Sequence, residues 1–351
     1  MRVLKVKDAL VKVKRPVKIP QSEYLPFGSY PVIDQGKSII AGYTNDIESV
    51  IFSPLPMTIF GDHTRVVKFS KEPFASGADG TQLLYPIGDI DPTFFYYSIK
   101  NIDLSNYFYA RHFKYLKESE ICVPDLPVQR RIADILSAYD DLIENNRRRI
   151  TILEETARLA YRKWFGGVEE GRTATLGEIA DVVMGQSPES KTYNDNGEGL
   201  PFHQGVTGFG FRYPRNEMWC TAGTRFAEEG DILFSVRAPV GRINVAGERI
   251  VIGRGLSAMR AKNGFQSWLL YALKHHFSKE DMIGVGCIFA STTKKELLSV
   301  ALPFPPDEEI ASFEQIAGPI DAQIKALSMQ NAALVTARDM LLPRLMKGFI
   351  N

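Results

Sequence analysis

The 351-residue sequence is poor in cysteine and has no long apolar run. Its three cysteines, Cys122, Cys220 and Cys287, are far apart and form no Cys-x-x-Cys pair, which is typical of reduced thiols. The five histidines fall in no zinc-finger spacing, so we expect no metal site. No apolar run approaches the roughly 18 residues that span a bilayer, and the N-terminal stretch lacks a signal-peptide core. These absences predict a cytoplasmic protein with no membrane partner.

Motifs of nucleotide-dependent enzymes are also missing. A DNA methyltransferase needs a glycine-rich loop after a strand and an Asn-Pro-Pro-aromatic motif. Here Gly208-Phe-Gly210 and Gly284-Val-Gly286 stand alone, and Pro305-Pro306 follows no Asn. Neither a Walker loop nor a Gly-x-Ser-x-Gly elbow occurs. A carboxylate nuclease is left open by spacing alone, although no acidic pair precedes a suitably placed lysine. These absences weigh against a methyltransferase, a P-loop enzyme and a Gly-x-Ser-x-Gly hydrolase, but not against a nuclease.

The basic residues are clustered, although the formal net charge is only +1. Residues 2–18 hold seven Lys or Arg against Asp8 alone, and residues 237–262 hold six against Glu248 alone. Such clusters indicate either a solvated face on each domain or a nucleic-acid footprint. The length predicts two domains with additional elements.

Two stretches carry a heptad pattern, which is typical of a coiled-coil seam. The first runs through Ile132, Leu136, Tyr139, Ile143, Asn146, Ile150, Leu153, Ala157, Ala160 and Trp164. The second runs through Ile310, Phe313, Ala317, Ile320, Ile324, Leu327, Asn331, Leu334, Arg338, Leu341 and Leu345. Gly166-Gly167 and Gly348 are expected to end the two helices. The pattern predicts the order domain, helix, domain, helix.

An internal repeat relates the two halves of the chain. Phe94-Phe-Tyr-Tyr-Ser-Ile-Lys100 resembles Trp268-Leu-Leu-Tyr-Ala-Leu-Lys274, and matching features recur at offsets of roughly 174 to 181 residues. Each copy is expected to contain short strands, including 49–52, 65–69, 231–235 and 249–252, and a helix near 92–102 or 266–277. Two copies of one fold are therefore predicted.

Antiparallel pairing of the long helices would bury both seams. If Ile132 faces Leu345, then Asn146 and Asn331 lie 14 residues inward and should meet, fixing the register. The alternative is that both are surface residues. The first helix would be about 50 Å long at about 1.5 Å per residue. If the two domains bound DNA, a spacer of this length would place them roughly one to one and a half turns of the duplex apart.

Several segments resemble a known family. Leu126-Pro-Val-Gln-Arg-Arg-Ile-Ala-Asp-Ile-Leu136 and Ala337-Arg-Asp-Met-Leu-Leu-Pro-Arg-Leu-Met-Lys-Gly348 are similar to the spacers of DNA-specificity subunits of type I restriction–modification enzymes. Looser resemblances to target-recognition domains lie in the segments 30–36, 60–65, 109–114, 184–188, 230–233 and 237–241. The first copy lacks the Gly-Gln-Ser-Pro sequence that begins at Gly185 in the second copy. The two copies are therefore expected to recognise different halves of a DNA site.

The resemblance implies a non-catalytic subunit that binds double-stranded DNA and itself binds no cofactor. Two modification subunits would dock on the spacer helices, bind S-adenosylmethionine and methylate adenine, and a translocase–nuclease subunit would complete a restriction enzyme. The implied fold is mixed α/β (α+β): target-recognition domains at 1–125 and 167–303, with spacer helices at 126–166 and 304–351 forming an antiparallel coiled coil with a pseudo-two-fold repeat. The alternative is a coiled-coil scaffold that binds protein partners without specific DNA recognition.

Candidate DNA contacts are polar or basic residues suited to base edges and phosphates. In the first copy they are Gln35, Lys37, His63, Arg65, Arg111, His112 and Lys114. In the second they are Gln204, Arg212, Arg237, Arg242, Thr292, Thr293, Lys294 and Lys295. For each residue alone, the alternative is a surface charge or a hydrogen bond that supports the fold. The clusters 111–114 and 292–295 are favoured because they recur at one point of the repeat.

Overall fold

A computed structural model describes residues 2–77, 80–106, 111–166, 172–282 and 291–348 of the chain. Cys287, Gly167 and residues 109–110 of the segment 109–114 lie outside this range. The chain folds as two compact units. Unit 1 comprises Met1–Asn145 and Gln330–Asn351, and unit 2 comprises Asn146–Met329.

Unit 1 is a mixed α/β structure. Its elements are β1 (Arg2–Lys5), β2 (Tyr30–Ile33), β3 (Gly42–Thr44), β4 (Val50–Ile51), β5 (Met57–Gly61), β6 (Val67–Ser70), β7 (Phe74–Ser76), β8 (Thr81–Leu84), α1 (Pro92–Lys100), α2 (His112–Glu118), β9 (Glu120–Val123) and the first part of α3 (Leu126–Phe165). Helix α1 begins where the Asp91 carboxylate accepts the backbone N–H groups of Thr93 and Phe94, both at 2.9 Å.

The strands of unit 1 form two sheets and a two-stranded pair. The sheets have the orders β3-β2-β7-β4 and β6-β5-β8, and β1 pairs with β9. Strands β2 and β7 are parallel, whereas the other pairs are antiparallel. Phe94, Phe95 and Ile99 of α1 form the main core with residues of α3 and of the C-terminal helix segment, including Leu136 and Leu345.

Unit 2 repeats this plan with one extra strand in each sheet. Its elements are β10 (Thr173–Thr175), α4 (Leu176–Ile179), β11 (Ala180–Met184), β12 (Tyr193–Asn194), β13 (Leu200–His203), β14 (Trp219–Cys220), β15 (Phe226–Ala227), β16 (Ile232–Ser235), β17 (Ile243–Val245), β18 (Ile250–Ile252), β19 (Leu256–Ala261), α5 (Gln266–Met282), α6 (Lys294–Leu298), β20 (Ala301–Pro303) and α7 (Asp307–Met346), whose last part belongs to unit 1.

The topology of unit 2 confirms the predicted repeat. Its sheets have the orders β12-β14-β13-β18-β15 and β11-β19-β16-β17, and β10 pairs with β20. The parallel pair β13–β18 corresponds to the parallel pair β2–β7. In each pair the second strand also pairs antiparallel with the strand at the edge of the sheet, which is β15 in unit 2 and β4 in unit 1. Helices α5 and α6 correspond to α1 and α2. The predicted strands and helices of both copies are present within a few residues of their expected limits.

The structure contains both predicted long helices, and they end at or near the predicted glycines. Helix α3 ends at Phe165, directly before Gly166, and α7 ends at Met346, two residues before Gly348. Their segments run antiparallel within each unit. In unit 1, Arg338 bonds Asp140, while Asn331 Nδ2 donates to the Ile143 carbonyl oxygen at 3.3 Å.

In unit 2, the seam residues of the two helices pack together. Ile150 contacts Ile324 and Leu327 in one cluster. Nearer the end of α3, the rings of Phe165 and Phe313 lie 5.6 Å apart. Asn146 of unit 2 is fully buried. Its predicted meeting with Asn331 stays a prediction.

The heptad pattern is off by about one residue at the end of the first helix. Trp164 is 37% exposed, whereas Tyr161 and Phe165 are both 2% exposed and join the core of unit 2. A straight α-helix has 3.6 residues per turn, so a strict seven-residue pattern drifts around the helix over several heptads. The most buried positions have therefore shifted to Tyr161 and Phe165, while Trp164 lies at the border, where its ring centre is 6.2 Å from that of Phe313.

Candidate nucleic-acid interface

Three segments of unit 1 meet at one edge: loop 34–38 after β2, turn 61–66 after β5, and the start of α2. The Gln35 side-chain oxygen accepts the His63 backbone N–H at 3.2 Å. The Asp62 carbonyl oxygen accepts the His112 backbone N–H at 2.9 Å. Because the turn bonds both neighbours, the structure brings Gln35, His63 and Arg111 to the same edge.

The remaining candidates of unit 1 flank this edge. Lys37 and Lys114 are exposed, on the loop and on α2 respectively. Arg65 is exposed as well, although its guanidinium donates to the Leu104 carbonyl oxygen at 3.1 Å. It has a positive φ of 62°, a conformation that is uncommon for a non-glycine residue.

His112 does not fit the prediction that it contacts DNA. It is only 5% exposed, and its Nδ1 atom lies 2.9 Å from the Asp62 carbonyl oxygen. The ring thus fastens α2 to the turn after β5. We therefore remove His112 from the candidate contacts and assign it to the support of the edge.

A buried lysine holds the loop of unit 1 from below. Lys68 on β6 is 6% exposed, and its ammonium group donates to the Asp34 carbonyl oxygen at 2.8 Å and to that of Ser38. Burial lowers the pKa of Lys68, and the Asp34 carboxylate, whose Oδ1 lies 3.6 Å from Nζ, opposes that shift. Since Lys68 bonds both ends of loop 34–38, it fixes the loop that carries Gln35 and Lys37.

Unit 2 builds the same edge from different residues. The Thr292 N–H donates to the Val236 carbonyl oxygen at 2.8 Å, as His112 does to Asp62 in unit 1, and Arg237 forms an isolated antiparallel bridge with Ser291. The Gln204 carbonyl oxygen accepts the Gly255 N–H at 3.0 Å, and the Gly255 carbonyl oxygen accepts the Val236 N–H at 2.9 Å. This chain of bonds brings Gln204, Arg237 and Thr292 together.

The other candidates of unit 2 have mixed outcomes. Arg242, Lys294 and Lys295 are exposed near this edge. Thr293 is exposed but caps α6: its hydroxyl accepts the Glu296 N–H at 3.3 Å and donates to the Glu296 carboxylate at 2.8 Å. Its side chain is thus already engaged in a capping box.

Arg212 is the clearest error among the predicted contacts. Its side chain is only 3% exposed and bonds the carboxylates of Glu154 and Asp321. A guanidinium enclosed in this way does not reach a DNA groove. The sequence shows the positive charge of Arg212 but not the two acidic residues that cover it.

Two residues that were not among the candidates complete the edge of unit 2. Ser187 Oγ lies 2.8 Å from Gln204 Nε2 and accepts the Arg254 N–H at 3.3 Å. Arg254 is exposed between Gly253 and Gly255. A Cβ on Gly253 would lie 2.8 Å from the Gln204 Cα atom, so the close approach requires glycine there. The Gly-Arg-Gly sequence after a strand was the available signal for Arg254.

Some classes of site are missing from the residues that the structure describes. Within them, no group of three or more His, Cys, Asp or Glu side chains is placed to hold a metal ion. No helix in the described ranges is long and apolar enough to cross a membrane. Cys122 and Cys220 are free thiols.

The chain is thus a duplicated α/β protein with a polar, partly basic loop edge in each of its two units. The sequence model of the type I restriction modification DNA specificity domain matches residues 2–155 and 169–328. The chain belongs to this family of DNA-specificity subunits of type I restriction–modification enzymes.

Individual relatives agree with this assignment. The type I restriction enzyme MjaX specificity subunit of Methanocaldococcus jannaschii is 32% identical over 255 residues, which span 67% of this chain but only 60% of the relative. The MjaIX specificity subunit of the same organism is 22% identical over 326 residues, spanning 80% of this chain and 74% of the relative. The solved type I restriction–modification S subunit from M. genitalium has a similar fold, with a TM-score of 0.61, 19% identity and coverage of 98% of this chain and 96% of that chain.

Proposed function

We propose that this chain is the non-catalytic subunit that gives a type I restriction–modification complex its sequence specificity. The observation that carries the proposal is that one loop edge is built twice, at equivalent points of the two units, with different side chains. In unit 1 the edge presents Gln35, His63 and Arg111, and in unit 2 it presents Gln204, Arg237 and Arg254. Glutamine and arginine are suited to bidentate contacts with base edges.

Each unit would read one half of a bipartite, asymmetric site. The two edges differ in side chains and in loop length, since eight residues separate β2 from β3 whereas fifteen separate β13 from β14. Different donors and acceptors read different bases, so the two half-sites should differ in sequence. The exposed lysines Lys37, Lys114, Lys294 and Lys295 would contact phosphates, which position the protein without specifying sequence.

The helices would dock the catalytic partners. Two modification subunits would bind α3 and α7, hold S-adenosylmethionine and methylate adenine, and a translocase–nuclease subunit would join them for restriction. Ile152 and Leu159 support a docking role, because they are 65% and 48% exposed on α3 and, being seven residues apart, lie on one face. This chain would itself bind no cofactor.

A segment exchange tests the DNA-reading role. Residues 167–303, the proposed second recognition domain, are replaced by the equivalent segment of another family member, and methylated adenine is mapped across the genome of a host that expresses the complex. One half of the methylated motif should change and the other should stay the same. The matched control replaces residues 1–125 and should change the opposite half.

Two results would contradict the proposal. An unchanged motif after both exchanges would favour a coiled-coil scaffold that binds proteins without reading DNA. Tight binding of labelled S-adenosylmethionine by the purified chain alone would overturn the non-catalytic role.

A further inference from the structure

Arg212 connects a loop of unit 2 to three helices. It lies in the loop 204–218 that joins β13 to β14. Its guanidinium donates to Glu154 Oε2 on α3 at 2.7 Å and to the Asp321 carboxylate on α7. It also lies 5.6 Å from the ring centre of Tyr271 on α5, whose hydroxyl donates to Asp321 at 2.9 Å.

The charges of this cluster balance. Lys274 on α5 also bonds Glu154, so two cations face two carboxylates. Burial opposes the charged form of Arg212, but Asp321, Tyr271 and Glu154 together outweigh it, so the pKa of Arg212 is raised and the guanidinium stays protonated. Burial and the nearby Arg212 lower the pKa of Lys274, whereas Glu154 opposes this shift without cancelling it. A buried guanidinium that is paired with two carboxylates is a firm anchor for its loop. Moving it out of the cluster would leave buried charges uncompensated, which is costly.

The anchor lies at the tip of a hairpin. The Arg215 N–H donates to the Gly208 carbonyl oxygen at 2.8 Å, and that of Gly210 to Tyr213 at 3.2 Å. The Arg212 carbonyl oxygen accepts the Val245 N–H at 3.0 Å, so β17 supports one side of the tip. Since this loop begins at Gln204, the anchoring of its tip limits how far the whole loop can move from the candidate edge.

Unit 1 uses the equivalent residues differently. The Tyr97 hydroxyl donates to Asp140 at 2.6 Å, as Tyr271 does to Asp321, but the cation on Asp140 is Arg338, which belongs to α7. The loop of unit 1 is held instead by Lys68 on β6, a strand of the other sheet of unit 1. In unit 2 the cation on Asp321 is Arg212, a residue of the loop 204–218 itself.

We propose that Arg212 is a positioning residue through which the α3–α7 helix pair of unit 2 sets the conformation of the 204–218 loop, and thereby the half-site that unit 2 reads. The proposal rests on the DNA-reading role proposed above. It makes the specificity of unit 2 sensitive to Glu154 and Asp321, two helix residues outside the candidate edge. The specificity of unit 1 should be insensitive to them.

The test compares Arg212→Met, Asp321→Asn and the rescue variant Arg212→Lys with wild type, all as the full chain. Arg249→Met is the matched control, because Arg249 forms an exposed ion pair with Glu228 at the end of β18 away from Gly253. Amide hydrogen exchange of residues 206–216 is measured without DNA. The two disruptive variants should exchange at least about tenfold faster there, Arg212→Lys should lie between them and wild type, and the control should match wild type.

The second measurement selects bound duplexes from a pool of random sequence. Arg212→Met and Asp321→Asn should flatten the base preference in the half-site assigned to unit 2 by segment exchange and leave the other half-site intact. Unchanged exchange of 206–216, or equal loss in both half-sites, would overturn the anchor. If wild type selects no sequence, the DNA-reading role fails, while the exchange data still decide whether Arg212 holds the loop.

A variant that keeps the side-chain volume protects the test against misfolding. If Arg212→Met yields no folded protein, Glu154→Gln removes one charge of the cluster and should accelerate exchange in the same residues. Normal exchange in a folded Glu154→Gln variant would count against the proposal.

Discussion

The two units share a topology, but the loops that carry Gln35 and Gln204 are held by different means. In unit 1, Lys68 on β6 bonds the backbone of a short loop at both ends. In unit 2, Arg212 extends from a longer loop to carboxylates on α3 and α7. The longer loop of unit 2 is thus accommodated in the shared topology by an anchor that the loop itself supplies.

The electrostatic demands of the two anchors differ accordingly. Lys68 bonds carbonyl oxygens and has one carboxylate nearby, whereas Arg212 neutralises two carboxylates in a buried cluster. Removing one partner from a buried ionic cluster is more costly than removing a hydrogen-bond donor, because an uncompensated charge is left behind. Substitution of Arg212 is therefore expected to cost more stability than substitution of Lys68.

The largest effect is expected for Arg212→Met. Unit 2 should lose about 3–5 kcal/mol of unfolding free energy, because Glu154 and Asp321 are left without their shared cation. Urea denaturation monitored by hydrogen exchange in β16 and β19 measures this loss. Arg158→Met, which breaks an exposed pair with Glu155 on α3, is the control and should cost less than about 1 kcal/mol. If Arg212→Met lost as little unfolding free energy as Arg158→Met, the buried cluster around Arg212 would not be the strong anchor described above.

Lys68→Met should have a smaller effect, confined to unit 1. The carbonyl groups of Asp34 and Ser38 lose a buried donor, which costs about 1–3 kcal/mol. Hydrogen exchange should accelerate in loop 34–38 but not in loop 204–218. The exposed Lys71, which pairs with Asp141, gives a matched control as Lys71→Met. Accelerated exchange in both loops would show that the two anchors are not independent.

Arg111→Ala tests whether the edge of unit 1 reads bases. The loss of one good base contact should weaken binding or methylation of one half-site by about 1–3 kcal/mol, with little change in thermal stability. Arg2→Ala is the control, since Arg2 is exposed and paired with Asp89. If wild type and Arg111→Ala bind matched and scrambled duplexes equally, the assignment of Arg111 is lost.

The smallest effect concerns His203, the residue before Gln204. Burial lowers the pKa of His203, although the hydrogen bond to Asn216 at 3.1 Å opposes the shift. The folded state therefore favours neutral imidazole, and this stabilising contribution is complete above about pH 6.5 and is lost as the pH falls through the lowered pKa. His203→Gln should flatten the decline in the stability of unit 2 between about pH 7 and about pH 5. An identical decline in both proteins would contradict this role.

The sequence predicted the framework well because its signals are local or periodic. The heptads predicted α3 and α7, and glycines marked their ends. The repeat predicted that the starts of α2 and α6 occupy equivalent points, as His112 and Thr292 do by bonding the turns after β5 and β16. Trp164 is less buried than predicted because a strict seven-residue pattern does not include the drift of a straight helix.

The composition of the candidate site was harder to predict. Arg212 has the residue type of a DNA contact, but its partners lie 58 and 109 positions away in sequence. His112 belongs to a basic segment, yet it is buried against a turn 50 positions earlier. Residue type indicates what a side chain can bind, whereas burial decides whether it is available. Burial here depends on tertiary contacts that no local pattern reveals.

Helix α7 returns its last residues to unit 1, and this has a consequence for biosynthesis. Leu342, Leu345 and Met346 complete a core begun by Ile132 and Leu136, so unit 1 cannot close until the last turns of α7 have been translated. All of unit 2 lies between these two parts and emerges earlier. Of the two units, the one whose translation begins earlier is thus the one that closes later.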